Sequence, residues 1–435
     1  MTYTSYLANG VQLCDVAVIG RGPIGAAAAL AVEQAELQVA WVGRESHGNE
    51  TGSLMGSGNV IGGLSSDPAW DSRVYALSES ARKLLTRLKV WDALAHERIA
   101  PVYDMHVFPR AVVATEGSTA ATGAAPRHDE LHFGAYEAHT EALAWIVEGG
   151  NLSSTLNHAI SFSSVEPINA NLVALDRRDP QRLIVKLDDG NELHAKLVIA
   201  ADGADSLTRD QAGIVSTSRE YPQTAVVANF ECAAVHADSA WQWFGSHGVL
   251  ALLPLPGRHC SMVWSAPHAL AHELMTASAE HLAARVSELS NHALGSLRAI
   301  SPAQSFALRR ISVDHTVLSR VALIGDAAHV IHPLAGQGMN LGFADVAALA
   351  QVLAGRESFR DIGDQLLLRR YERQRKEPVL AVSTAIDALQ KLFDPDAALN
   401  TGPIGKPLQA LRDLGWSVVA RSDWIKRQLI ELAAA

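Results

Sequence analysis

The stretch Cys14-Asp15-Val16-Ala17-Val18-Ile19-Gly20-Arg21-Gly22-Pro23-Ile24-Gly25 decides the fold class of this chain. Its first seven residues form a β-branched run that stops on a glycine, and Ala26 to Gln34 follows as an alanine-rich helix. Val39 to Val42 then reads as a second apolar strand. Strand, glycine-rich turn, helix and strand are the opening of a doubly wound parallel sheet. In this turn Gly20 permits the tight bend, Gly22 lets backbone N–H groups approach a pyrophosphate, and Gly25 lets helix and strand pack closely. The helix then points its positive end at the phosphates, a contribution of about 0.3–1 kcal/mol per charge. A turn serving packing alone would carry the same glycines, but the flanking strand and helix favour a dinucleotide. An acid that bonds the adenosine ribose is expected at the end of the second strand, about 20 residues on. Register puts Gly43 there, in Trp41-Val42-Gly43-Arg44-Glu45. Arg44 and Glu45 are the neighbouring candidates for the adenosine, and a carboxylate installed at position 43 is expected to tighten binding.

Two later stretches repeat the pattern of a buried strand followed by glycine and acid. Leu197 to Ala200 runs into Ala201-Asp202-Gly203-Ala204-Asp205-Ser206, and Asp202-Gly203 reads either as a strand-ending turn or as a ligand contact. Val321-Ala322-Leu323-Ile324-Gly325-Asp326-Ala327-Ala328-His329 leads to His332-Pro333-Leu334-Ala335-Gly336-Gln337-Gly338-Met339-Asn340. Asp326, at a strand C-terminus, is placed to accept hydrogen bonds from sugar-like hydroxyls. Gly336-Gln337-Gly338 lets a helix N-terminus meet a flat ligand with bare N–H groups. His329 and His332 are three apart, but no Cys, His or acid cluster completes a metal site, and none is expected.

Between these motifs the organisation is mixed. Thr51 to Ser66 is rich in Gly and Ser and reads as a flexible connection, and Ala111 to Arg127 as a mobile loop between strand-like segments. Leu183–Leu187 and Leu193–Ala200 form a hairpin around Asp189-Gly190, and the middle of the chain is sheet-rich. From Gln365 on the pattern is helical. The 435 residues are 48% hydrophobic and 19% charged, enough for a large core and too apolar for disorder. A net charge of −10, with no basic run, argues against a nucleic-acid partner. The Arg369–Lys376 cluster is interleaved with Glu372 and reads as a solvated helix face, with anionic lipid as the lesser alternative. The 3 cysteines are too scattered for a disulfide framework. No leader peptide or membrane span is expected, so the sequence reads as cytoplasmic.

With its three motifs in this order, the chain resembles the class A FAD-dependent monooxygenases of the para-hydroxybenzoate hydroxylase fold. It is most similar among them to the ubiquinone-biosynthesis hydroxylase family. The likeness also rests on Asp71-Ser72-Arg73-Val74-Tyr75-Ala76-Leu77-Ser78, on Leu88-Lys89-Val90-Trp91, and on His332 to Asp345. Tyr221 to Ala228 and Leu250 to Leu255, ending in Val263-Trp264, carry the likeness to the ubiquinone branch. The resemblance implies an α/β fold: a Rossmann-like FAD domain from residues 1–95, 140–215 and 305–370, an inserted β-rich substrate domain from 96–139 and 216–304, and a helical region over 371–435. It implies that Gly20, Gly22 and Gly25 hold the FAD pyrophosphate, that Arg73 lies against the cofactor, and that Asp202 and Gly203 serve FAD and a transient NAD(P)H. Asp326 would bond the ribitol, Gly336, Gln337, Gly338, Met339 and Asn340 would face the flavin N1–C2=O edge, and Pro333 would flank the isoalloxazine.

The activity so implied is NAD(P)H-driven reduction of FAD, capture of O2 as a flavin hydroperoxide, and hydroxylation of a lipophilic, polyprenylated phenol. Trp241, Trp243 and Phe244 are the candidates for an apolar pocket lining, sheet packing being the alternative; no general base is named. A substrate of this kind implies peripheral membrane contact or a ubiquinone-biosynthesis complex. Three departures stand out: Gly43 for the usual acid, Gly248-Val249 for Gly-Pro, and a long 111–127 segment. A same-fold FAD reductase or halogenase, or a catalytically degenerate FAD-binding subunit, are the rival readings.

Overall fold

Val11–Ile19 lies near the middle of a parallel sheet, where four β-branched or alanine side chains from Val16 on lose nearly all contact with solvent. Val39–Val42 pairs with it in parallel on one side and Glu192–Ala200 on the other. Glu166–Ile168 extends the sheet beyond Val39–Val42, and Val321–Leu323 extends it beyond Ile199. The structure is a computed structural model that describes residues 6–7, 11–44, 70–108, 130–332 and 337–393.

Alternation along these strands sends successive side chains to opposite faces, and both faces are covered. On one side Val16, Val18, Trp41 and Ile199 pack against the helices Pro23–Glu33, Gly149–Ser161 and Gln337–Ala354. The first of these is alanine-rich and has eight buried residues, so its backbone can come close to the strands. On the other side Ala17, Ile19, Ala40 and Val198 pack against Leu172, Val185, Leu187 and Leu193. Those residues belong to an antiparallel meander of Leu172–Asp176, Leu183–Leu187 and the first half of Glu192–Ala200. The hairpin expected around Asp189-Gly190 is present, with Gly190 at φ +87°.

A second sheet is mostly antiparallel. Its path runs from His329–Val330 through Gln304–Val313, Ser216–Cys232, His259–Pro267, Gly248–Leu255, Ser239–Gly245 and Asp104–Phe108 to Leu131–Gly134. Gln304–Val313 therefore pairs with Ser216–Cys232, across a register shift between Glu220 and Thr224. One face of this sheet is closed by the helices His268–Thr276 and Ala279–Leu289 around Trp264, Phe230 and Met262. The opposite face turns toward the parallel sheet. There Asn229 donates to the Asp71 carbonyl at 2.9 Å, and Arg309 grips the Asp205 carboxylate with two bonds of 2.7 Å. A small third sheet, Val74–Leu77, Ala144–Glu148 and Ala100–Val102, sits between them. The last helix, Gln365–Phe393, buries Tyr371 and Arg375 against the parallel sheet and its neighbouring helix.

Candidate functional site

The first glycine turn is shaped by three close approaches. Gly20 sits at φ +123°, and a Cβ there would lie 2.1 Å from the Ala201 carbonyl oxygen, so the second motif walls the first. Trp41 donates its indole N–H to the Gly20 carbonyl at 2.8 Å. A Cβ at Gly25 would strike that same carbonyl oxygen at 2.1 Å, which explains the third glycine. Gly22 differs from both. It is the N-cap of the first helix, makes no side-chain cap bond, and a Cβ on it would meet nothing within 4 Å. The first-turn N–H groups therefore face open space beside a close-packed bend, an arrangement that fits a dinucleotide pyrophosphate.

The third motif is locked to this turn. Val321–Leu323 ends beside Ala200, and the chain turns through Gly325–Ala327. Ile24, from the first turn, fills the space between Gly325 and Gly342: a Cβ at 325 would be 3.2 Å from its Cγ2, and one at 342 would be 2.7 Å from its Cδ1. Asp326 is half-exposed, and its charge is felt by Tyr75 and by Arg309. Burial pushes the Tyr75 phenol up, partly offset by Arg73 beside it. The Arg73 guanidinium lies 5.2 Å over the Phe306 ring of the second sheet.

Behind Asp326 lies a fully buried carboxylate that the sequence reading passed over. Asp345 accepts from the Gly325 N–H at 2.9 Å, from Arg375 Nε at 2.6 Å, and lies 2.7 Å from His329 Nε2. Burial alone would raise its pKa, but the His329 ring and the Arg375 guanidinium hold it below the usual carboxylate range. Asn340 is also engaged through its side chain, accepting from the Ser78 N–H at 3.0 Å and donating to the Ala76 carbonyl at 2.9 Å. That fastens the Asp71–Ser78 segment, with Arg73, to the helix of the third motif. Met339 is buried in the helix-side core, and Gln337 begins the helix that carries Gly338. Pro333, Gly336, Glu45 and the 111–127 segment lie outside the described residues.

Several of the candidate residues make contacts within the fold. Asp202 spends its carboxylate on the fold: Oδ2 accepts from the Thr208 N–H at 3.0 Å and its hydroxyl at 2.8 Å, and Oδ1 accepts from Ser206. Gly203, at φ +85°, makes the turn that permits this. Arg44 reaches Asp188, at 2.9 Å, and its hydrogen bond lowers the pKa of that carboxyl. Gly43 is no vacant acid position, because its φ is +151° and a Cβ would lie 2.4 Å from Arg21 Cγ. Arg21 itself lies 4.0 Å over the Trp41 ring, so a longer side chain at 43 has to displace that stack.

Trp243 and Phe244, adjacent in one strand, face opposite ways. Trp243 is stacked on Phe108, with centroids 5.6 Å apart, in the core under the two helices, and Trp241 joins that core. Both take part in sheet packing. Phe244 instead packs with Ile331 and Leu341, on either side of the His332–Asn340 stretch. The two histidines separate as well. His329 belongs to the Asp345 cluster, whereas His332 meets Gln223 at 3.0 Å and the edge of the Tyr221 ring at 4.8 Å between centroids. Among the described residues no group of ligands could hold a metal.

A parallel sheet with a glycine turn at a helix N-terminus, a second sheet facing it, and an acid at the neighbouring strand end define a dinucleotide-binding fold. Residues 169–385 match the family described as FAD binding domain. The fold is that of PqsL from Pseudomonas aeruginosa, a probable FAD-dependent monooxygenase, with a TM-score of 0.71 and 20% identity over 92% of this chain and 100% of that one. It is also that of Klebsiella pneumoniae HpxO complexed with FAD and uric acid, with a TM-score of 0.67 and 17% identity over 96% of each chain. The sequence is 31% identical to the ubiquinone hydroxylase UbiL of Rhodospirillum rubrum, over 96% of this chain and 88% of that protein. It is likewise 31% identical to the 3-demethoxyubiquinol 3-hydroxylase of Escherichia coli, over 97% of this chain and 98% of that protein. The chain belongs to the family of FAD-dependent hydroxylases of ubiquinone biosynthesis.

Proposed function

We propose that the enzyme hydroxylates the ring of a lipophilic, prenylated phenol, with NAD(P)H as electron donor and O2 as oxygen source. The observation that carries this reading is the apolar cluster of Val107, Leu131, Phe244, Val249, Ile331 and Leu341. All six of these side chains come from the second sheet or the third motif's borders, and the last helix adds Ile386, with Val379 and Val382 packed against it. An apolar wall beside the flavin motif suits a substrate that must react away from water. Bound FAD supplies the activation of O2.

In this proposal the N–H groups after Gly22 take the pyrophosphate, Asp326 bonds the ribitol, and the backbone from Gly338 to Asn340 faces the electron-accepting edge of the ring. Arg73, just before the strand Val74–Leu77, orients the cofactor. The parallel sheet and its helices form the FAD domain, and the second sheet forms the substrate domain. The relatives' names include a ubiquinol ring, which a tail would tether in lipid. No helix among the described residues is long and apolar enough to cross a membrane, so such a substrate is met at the membrane surface or handed over by a partner.

Each isoprenoid unit buried adds a few kcal/mol at about 0.8 kcal/mol per CH2. The test is NADPH oxidation and product analysis with phenols of increasing tail length. Coupling to hydroxylated product is expected to rise with the tail. If small polar hydroxybenzoates are hydroxylated best and tail length has no effect, the prenylated substrate is ruled out. Reduction of the flavin without aerobic product formation would favour a reductase.

A further inference from the structure

We propose that Asp345 is a positioning residue for the flavin site: anchored by Arg375, it fixes through Gly325 and His329 the turn that presents Asp326. The inference rests on the assignment of Asp326 to the ribitol and extends it to a buried residue 19 positions further on.

The geometry is specific. Asp345 Oδ2 receives the N–H of Gly325, the residue immediately before Asp326, and meets His329 on the other side of the turn. One oxygen thus ties both ends of the five-residue bend that carries Asp326. The other oxygen takes Arg375 Nε, and Arg375 Nη2 reaches the Leu341 carbonyl at 3.3 Å. Arg375 belongs to the last helix, which also places the Tyr371 hydroxyl on the Leu323 carbonyl at 2.8 Å, at the end of the strand that leads into the bend. The strand end, the bend and the motif helix are therefore all held from one helix through polar contacts. Asp345 itself is 0% exposed and Arg375 is 8% exposed. A buried pair of this kind stabilises little beyond a well-packed apolar substitute, so its distinct contribution is where it holds the backbone. Gly325, at φ +57°, needs such a hold, since a glycine left to itself samples many conformations.

The experiment measures FAD affinity of apoprotein by fluorescence titration, alongside the visible circular dichroism of the bound flavin. Asp345→Asn is expected to raise the Kd at least tenfold and to alter the dichroic spectrum. Arg375→Lys, which keeps the charge, is expected to stay within about threefold of the wild type. Asp361→Asn is the control: it breaks the contact of Asp361 with Arg320, at the opposite end of the Val321–Leu323 strand, and is expected to lose stability without changing the Kd. An Asp345→Asn Kd within twofold of wild type overturns the proposal. So does a rise in Asp361→Asn as large as that in Asp345→Asn, which would mean general loosening. If Asp345→Asn does not fold, His329→Gln reads the same turn: a Kd raised threefold or more supports the role, and an unchanged one overturns it. Asp326→Ala separates the two levels. Full FAD affinity there removes the ribitol assignment, whereas flavin loss there with an unaffected Asp345→Asn removes only the positioning role.

Discussion

The strands Glu192–Ala200 and Val321–Leu323 lie side by side, with Ala200 opposite Leu323, and each runs into a turn containing glycine and aspartate. At the first, Asp202 bends back onto Ser206 and Thr208 and starts the short helix Leu207–Ala212. At the second, that structural duty passes to Asp345 from another helix, and Asp326 stays half-exposed at the rim. The contrast shows that an acid after a strand is a ligand candidate only when some other group closes the turn. With the proposed ribitol role of Asp326, two motifs of equal appearance divide into one that builds the sheet end and one that addresses the cofactor.

The largest expected effect of this division is on flavin binding. Asp326→Ala is expected to weaken FAD by about ten- to hundredfold, the range for one hydrogen bond to a charged group at about 1.5–3 kcal/mol. The apoprotein should melt within a few degrees of wild type. Full flavin content in the variant would make Asp326 a second structural acid and erase the contrast. Asp202→Ala is the mirror experiment. Losing the bonds of Asp202 to the Thr208 N–H and hydroxyl costs about 0.5–2 kcal/mol of stability, read by chemical denaturation, while FAD affinity changes by less than about threefold. A large flavin loss at unchanged stability would return Asp202 to the cofactor.

A third strand end sharpens the rule. Val39–Val42 ends in Gly43, where the pattern of dinucleotide sites leads one to expect an acid, and the sequence alone suggests that Gly43→Glu would improve binding. The structure reverses the sign. With φ at +151° and Arg21 Cγ 2.4 Å from a Cβ, the variant is expected to lose about 1–2 kcal/mol of stability and to bind FAD no more tightly than wild type. Tighter binding in an equilibrium titration would show that the Arg21–Trp41 stack yields and that the position is an acid site after all.

How far the sequence could be read follows from the range of the contacts involved. The glycine turn, its strand and its helix are contiguous, and Gly20 and Gly25 answer to backbone atoms of the same unit or of the chain just after the strand next to it. The parallel sheet and the β-rich middle were therefore legible. Trp243 and Phe244 were not, because both faces of their sheet are buried, and apolar residues at successive positions give no sign of which face meets the cofactor. Asp345 was hidden for another reason. It sits inside a helix, far along the chain from the bend it holds, and only the fold brings it to Gly325. The constraint on Gly43 lies in a backbone angle that residue types do not reveal. The pairing of Gln304–Val313 with the second sheet is a further tertiary choice.

The smallest effect, and the one that tests the source of the contrast, is in pH. The Asp345 carboxyl is held below its ordinary value by His329 and Arg375 against the opposing pull of burial. An aspartate in the unfolded chain titrates near 3.9, so on acidification the unfolded state takes up the proton first. The stabilisation from ionised Asp345 is thus fully present above that value. It is lost as pH falls from there through the lower pKa of the folded state. Asp345→Asn has no such proton to take up. The difference in unfolding free energy between wild type and variant should therefore shrink as pH falls below about 4. Denaturant titrations at four pH values measure it directly. A difference that persists undiminished to pH 3 would mean that the bend is held by packing around Ile24, Gly325 and Gly342. The ionised carboxylate would then be incidental, and the two strand ends would differ only in the shape of their turns.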